Sequence, residues 1–134
     1  MKSLLKIEGV GASYARKLQN VGIKSTKALL EKGATPKGRR EIAAQSGISE
    51  PVVLRWVNHA DLARIKGIGG QYSELLEAAG VDTVVELAQR NAENLHKHLA
   101  VINEEKRLVR KLPNQSQVSV WVKQAKKLPR LVNY

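Results

Sequence analysis

Two short stretches set glycines at alternate positions ahead of a run with helical spacing. Gly9-Val10-Gly11 precedes Ala12, Ser13, Tyr14, Arg16 and Lys17, and Gly67-Ile68-Gly69-Gly70 precedes Gln71, Tyr72 and Glu74. Glycine turns tightly and leaves backbone N–H groups uncovered, so such a turn brings bare amides against an anion that a side chain would hold away. The following helix adds the positive end of its dipole. The chemistry these residues could perform is the gripping of phosphate: Gly9, Gly11, Ala12 and Ser13 offer backbone, and Arg16 and Lys17 offer charge. Lys66, Gly67, Gly69 and Gly70 form a second set, weakened by Glu74 and Glu77 on its helix.

Lys37-Gly38-Arg39-Arg40 is a further basic cluster at the start of a helix, and it reads either as a track for phosphate backbone or as a solvated face. Other chemistries find no constellation. The chain has no cysteine, which excludes thiolate ligands, cysteine nucleophiles and disulfides. His96 and His98 stand two apart, which turns them to different sides of a helix, and with His59 they complete no metal-ligand set. Asp61 and Asp82 are the only aspartates, and no phosphate-binding Walker loop, hydrolase elbow or paired-carboxylate site is visible. The expectation is a protein without catalysis, metal or cofactor.

Charge points the same way. Lys and Arg number 23 against 12 Asp and Glu, a net +11 that attracts polyanions. The excess is uneven. After Glu105 there are no acids, while Arg110, Lys111, Lys123, Lys126, Lys127 and Arg130 follow; between Gly67 and Glu105 carboxylates dominate. Met1 to Ile7 is interrupted by Lys2, Ser3 and Lys6, and no later run is long and apolar enough to span a bilayer. A cytoplasmic protein with no membrane role is expected.

The elements that must position these residues are helices. Residues 7–31 lie on 65–89 without a gap, pairing Ile7 with Ile65, Gly9 with Gly67, Gly11 with Gly69, Tyr14 with Tyr72, Leu18 with Leu76 and Gly22 with Gly80. Identity falls on glycines and apolar positions, the pattern of a repeated backbone with divergent surfaces. Trp56-Val57 and Trp121-Val122 match again, which makes the tryptophans, with Tyr14 and Tyr72, core anchors rather than stacking platforms. Ser25, Thr35-Pro36, Ser49 and Asn114 read as helix starts, Thr83 to Glu86 as a capping box, and Gly22, Gly33 and Gly47 as helix ends. Glu93 to Leu112 reads as one or two helices, Gln115 to Leu128 as another, and Pro129 to Tyr134 as extended. No segment alternates as a strand.

Ile7-Glu-Gly-Val-Gly11 and Ile65-Lys-Gly-Ile-Gly69, each with its following helix, resemble the helix-hairpin-helix signature. Residues 7–62, with Ser46-Gly47-Ile48-Ser49 ahead of the Trp56 helix, are similar to the small N-terminal domain of archaeal and eukaryotic RecA-type recombinases, and the whole chain resembles an uncharacterised bacterial family of tandem units. The resemblance implies an all-α fold of two tandem helix-hairpin-helix (SAM-like) units, at 1–62 and 63–134, the second carrying a basic C-terminal helix. It further implies DNA binding, expected to be to duplex and without sequence preference, since backbone contacts position without reading bases. The rival expectation is an interaction or assembly module that recognises protein or itself through the acidic 74–105 and basic 106–130 segments.

Overall fold

The computed structural model describes residues 4, 7 and 9–134. Met1 to Ser3, Leu5, Lys6 and Glu8, which belong to the N-terminal segment and the first motif discussed above, lie outside the described residues. Among the described residues there are eight helices and no strands, so the fold is all-α. No helix among them is long and apolar enough to cross a membrane.

Two compact units divide the chain, Met1–Asp61 with Leu131–Tyr134, and Leu62–Arg130. The last four residues thus correct the sequence-based boundary: they pack with the first unit. The reason is physical. Val132 is buried in the first core, the Asn133 amide donates to the Ala34 carbonyl at 2.8 Å, and the Tyr134 hydroxyl donates to Asn58 Oδ1 at 3.2 Å.

In the first unit, α1 (Ala12–Asn20) buries Ala15 and Leu18 and stops at Gly22, whose φ of +89° is a conformation that L side chains rarely adopt. The sequence then caps α2 (Thr26–Lys32) with Ser25, whose hydroxyl accepts from Ala28 N–H, and α3 (Pro36–Ser46) with Thr35, whose hydroxyl accepts from Gly38 N–H. Capping satisfies amides that a helix start otherwise leaves open. Gly47 ends α3 in the left-handed conformation, and α4 (Glu50–Leu62) follows, burying Val53, Trp56, Val57 and Ala60 at positions that share one face.

The second unit follows the same local grammar. Its α5 (Gly70–Ala78) stops at Gly80, φ +85°, and the Val81 amide returns to the Leu76 carbonyl as Ile23 returns to Leu18. Helix α6 (Val84–Ala88) starts after Thr83, but the reciprocal capping box expected there is not made. The Glu86 carboxylate reaches back to the Asp82 amide and the Thr83 hydroxyl, whereas the Thr83 side chain accepts no backbone amide. Helix α7 (Ala92–Lys106) is capped by Asn91 and ends at Arg107, φ +50°, so residues 107–114 form a loop instead of continuing the helix. Asn114 and Gln117 make the full reciprocal box at the start of α8 (Gln115–Lys126).

Both tryptophans are core anchors, as their matched positions require: Trp56 is 3% exposed and Trp121 2%. Their tyrosine partners diverge. Tyr14 meets Trp56 edge-on with ring centroids 5.1 Å apart, yet it is 42% exposed, which corrects its reading as a core residue. Tyr72 lies 5.3 Å from Trp121 and is half-buried, with its hydroxyl committed to the Lys111 carbonyl.

Candidate nucleic-acid interface

The two glycine turns have nearly the same backbone. Gly9 and Gly67 take φ of +89° and +100°, and each is followed by an amide that folds back, Val10 to the Ile7 carbonyl at 3.1 Å and Ile68 to the Ile65 carbonyl at 3.2 Å. Gly11 and Gly69 are extended and act as the N-caps of α1 and α5. Behind each turn stands its tryptophan: a Cβ on Gly9 would lie 3.7 Å from Trp56 Nε1, and one on Gly67 only 3.0 Å from Trp121 Nε1. The first glycine of each turn is therefore fixed by backbone angle, and in the second unit by space as well.

The second glycine of each turn has a different reason to be there. A Cβ on Gly11 or on Gly69 would meet nothing within 4 Å, and both lie in backbone regions that any residue adopts. What a side chain there would do is cover the first-turn amides. Ser25, Thr35, Asn91 and Asn114 each turn an oxygen onto their own helix, while Gly11 and Gly69 cannot, and neither α1 nor α5 has an acid in its first turn. The starts of α1 and α5 thus carry neither a side-chain cap nor a first-turn carboxylate, and their amides are open toward an anion.

Around the first turn the structure brings together the expected set. Gly11, Ala12 and Ser13 are exposed at the start of α1, and Arg16 and Lys17 are exposed one turn on, with Lys17 Nζ 5.4 Å from the centre of the Tyr14 ring. A cation at that distance over a ring is held without being neutralised.

The basic cluster on α3 does not behave as one. Lys37 and Arg40 are exposed, but Arg39 is 5% exposed and is a structural residue. Its Nη1 donates to the Gly33 carbonyl at 2.9 Å and its Nη2 to the Asn133 carbonyl at 2.8 Å, and its guanidinium lies 6.0 Å from the Tyr134 ring centre. Burial pulls its pKa below the ordinary arginine value, although a guanidinium stays charged in such a setting. Arg39 is therefore withdrawn from the phosphate-binding set. Gly38 beside it is a packing glycine, since a Cβ there would lie 1.8 Å from the Lys32 carbonyl oxygen.

At the second turn, Lys66 and Gly67 are exposed, and the Lys66 backbone is clamped by one side chain: its amide donates to Gln124 Oε1 at 3.1 Å, and Gln124 Nε2 donates to its carbonyl at 3.4 Å. A surface concavity of about 400 Å³ opens beside Gly67, Gly69 and Gly70, with Val109, Arg110 and Lys111 of the 107–114 loop on its wall. Arg110 and Lys111 were legible in the sequence as part of a basic run; their meeting with the second turn was not. Glu74 and Glu77, which lower the expected strength of this site, do not line the concavity. No group of His, Asp and Glu able to hold a metal is found among the described residues.

A family model described as Domain of unknown function (DUF4332) matches residues 8–128. No curated protein and no solved structure matches the chain.

Proposed function

Because the chain belongs to the DUF4332 family, a grouping that names no activity, its function has to be read from its site, and we propose that it is a non-catalytic, sequence-nonspecific DNA-binding protein of tandem helix-hairpin-helix type. One observation carries the reading: the helices after the two glycine turns begin at Gly11 and Gly69, where a side chain would fit but none is present. A structure built only for packing gains by capping those amides. Leaving them bare forgoes a few tenths of a kcal/mol and keeps the amides available to an anion.

DNA phosphates suit the rest of the site. Ser13 can donate, Arg16 and Lys17 supply charge within the opening turns of α1, and the net charge of +11 draws a polyanion from beyond contact range. Lys37 and Arg40 add positive field from α3. Contacts of this kind reach phosphate oxygens and carry no base readout, which makes the binding tolerant of sequence.

A labelled duplex titrated at several salt concentrations tests this. Affinity should fall steeply with salt, and Arg16→Glu with Lys17→Glu should remove most of it while the helical circular dichroism and Tm persist. A wild-type chain that fails to bind duplex at low salt overturns the proposal. Concentration-dependent self-association in the absence of DNA would instead favour an assembly role for the 74–105 and 106–130 segments.

A further inference from the structure

The helix behind the second glycine turn, α5, has no Lys or Arg and carries Glu74 and Glu77. The loop between α7 and α8 makes up the deficit. Val109 is buried, and the Asn103 side chain holds it at both backbone atoms: Oδ1 accepts from the Val109 amide at 3.0 Å, and Nδ2 donates to the Val109 carbonyl at 3.1 Å. Two residues later the Lys111 carbonyl accepts from the Tyr72 hydroxyl at 3.0 Å. Arg110 thus sits between two anchored neighbours, and both it and Lys111 keep exposed side chains on the wall of the concavity whose other side is Gly67, Gly69 and Gly70. Two cations and no carboxylate line that wall.

We infer that this concavity is a second phosphate-binding pocket, in which Arg110 and Lys111 replace the cations that α1 supplies in the first unit, and that it takes a backbone phosphate of bound DNA. The inference rests on the DNA-binding reading and adds to it a site with its own residues. The Tyr72 hydroxyl is what separates the units. In the second unit it spends itself on holding the cationic loop against the turn, while Tyr14 in the first stands exposed beside Lys17.

The test compares three double variants of the full chain on one short duplex: Arg110→Gln with Lys111→Gln, Arg16→Gln with Lys17→Gln, and a control of equal charge change, Lys24→Gln with Lys27→Gln. All six residues are exposed, so Tm should hold. The pocket predicts that the Arg110/Lys111 variant loses about tenfold in affinity or more and flattens the logarithmic salt slope by roughly 0.9, one phosphate contact's worth. It also predicts that the backbone amide signals of Gly69 and Gly70 shift with duplex in the wild type and no longer do so in that variant. Unchanged affinity and slope in that variant, beside a clear loss in the Arg16/Lys17 variant, overturn the pocket and leave the DNA reading standing. An equal loss in the control also overturns it. A loss confined to the Arg110/Lys111 variant keeps the pocket and removes the first turn from the interface, and a wild type that binds no duplex removes both.

Discussion

Arg39 donates from Nη2 to the backbone carbonyl of Asn133 at 2.8 Å, tying the start of α3 to the far end of the chain. Its other nitrogen holds the Gly33 carbonyl, so a single guanidinium closes the end of α2 and the C-terminal residues together. A fork of fixed geometry can satisfy two carbonyls at once, which an ammonium does less well.

Arg39→Ala should therefore cost stability and leave DNA contacts intact. Hydrogen bonds to a charged group contribute roughly 1.5–3 kcal/mol each, and truncation strands two carbonyls, so a loss of about 3 kcal/mol is expected. Arg39→Lys should fall between wild type and alanine. Urea unfolding gives both values, and duplex affinity measured well below Tm should match wild type for the lysine variant. A selective loss of affinity with stability unchanged would return Arg39 to the binding set.

The C-terminal residues should be energetically coupled to Arg39. Removing Leu131–Tyr134 takes away the buried Val132, the Asn133 to Ala34 hydrogen bond and one of the two Arg39 acceptors. In the shortened chain Arg39→Ala should cost less than in the full chain, by about 1–2 kcal/mol, because the two changes share a contact. Strict additivity in a double-mutant cycle by urea unfolding would show that the contact contributes nothing.

Gly38→Ala should reverse the usual sign for a helix interior. Replacing glycine by alanine within a helix ordinarily stabilises by up to about 1 kcal/mol. At Gly38 the new Cβ would stand 1.8 Å from the Lys32 carbonyl oxygen, so α3 must move off the end of α2. A loss of roughly 2–3 kcal/mol is expected, the scale of overpacking a tight contact. A rise in the urea midpoint would mean that the two helices part without cost.

Arg39 and Gly38 also show where sequence reading stops. Helix starts at Ser25, Thr35 and Asn114 and helix ends at Gly22 and Gly47 were legible because capping is local: the residue that specifies the end lies within four positions of the amides or carbonyls it serves. The tryptophan anchors were legible because the chain presents them twice. Lys37-Gly38-Arg39-Arg40, by contrast, reads as one basic run until folding brings Asn133 and Gly33 to one of its members. Charge along a sequence does not say which cation is buried. Arg110 and Lys111 were missed at the second turn for the converse reason, since the hydrogen bond that brings their loop there joins residues 72 and 111, and neither end announces the other.

The glycines at the two turns should separate into a structural pair and a functional pair. Gly9→Ala forces an L side chain to φ +89° and should destabilise by about 1–2 kcal/mol, the usual penalty for left-handed backbone. Gly11→Ser fits its extended backbone and open surroundings, and its hydroxyl can accept from the first-turn amides as Ser25 does on α2, so stability should rise by a few tenths of a kcal/mol. The same hydroxyl occupies the amides that would meet a phosphate. Duplex affinity should fall as stability rises, more sharply for Gly11→Asp, and the Gly69→Ser and Gly69→Asp variants should repeat the pattern. Thermal unfolding and a fluorescence titration on the same samples decide it. Gly11→Ser that gains stability at no cost in affinity would mean that the bare amides of α1 face solvent, leaving the charged side chains to hold the DNA alone.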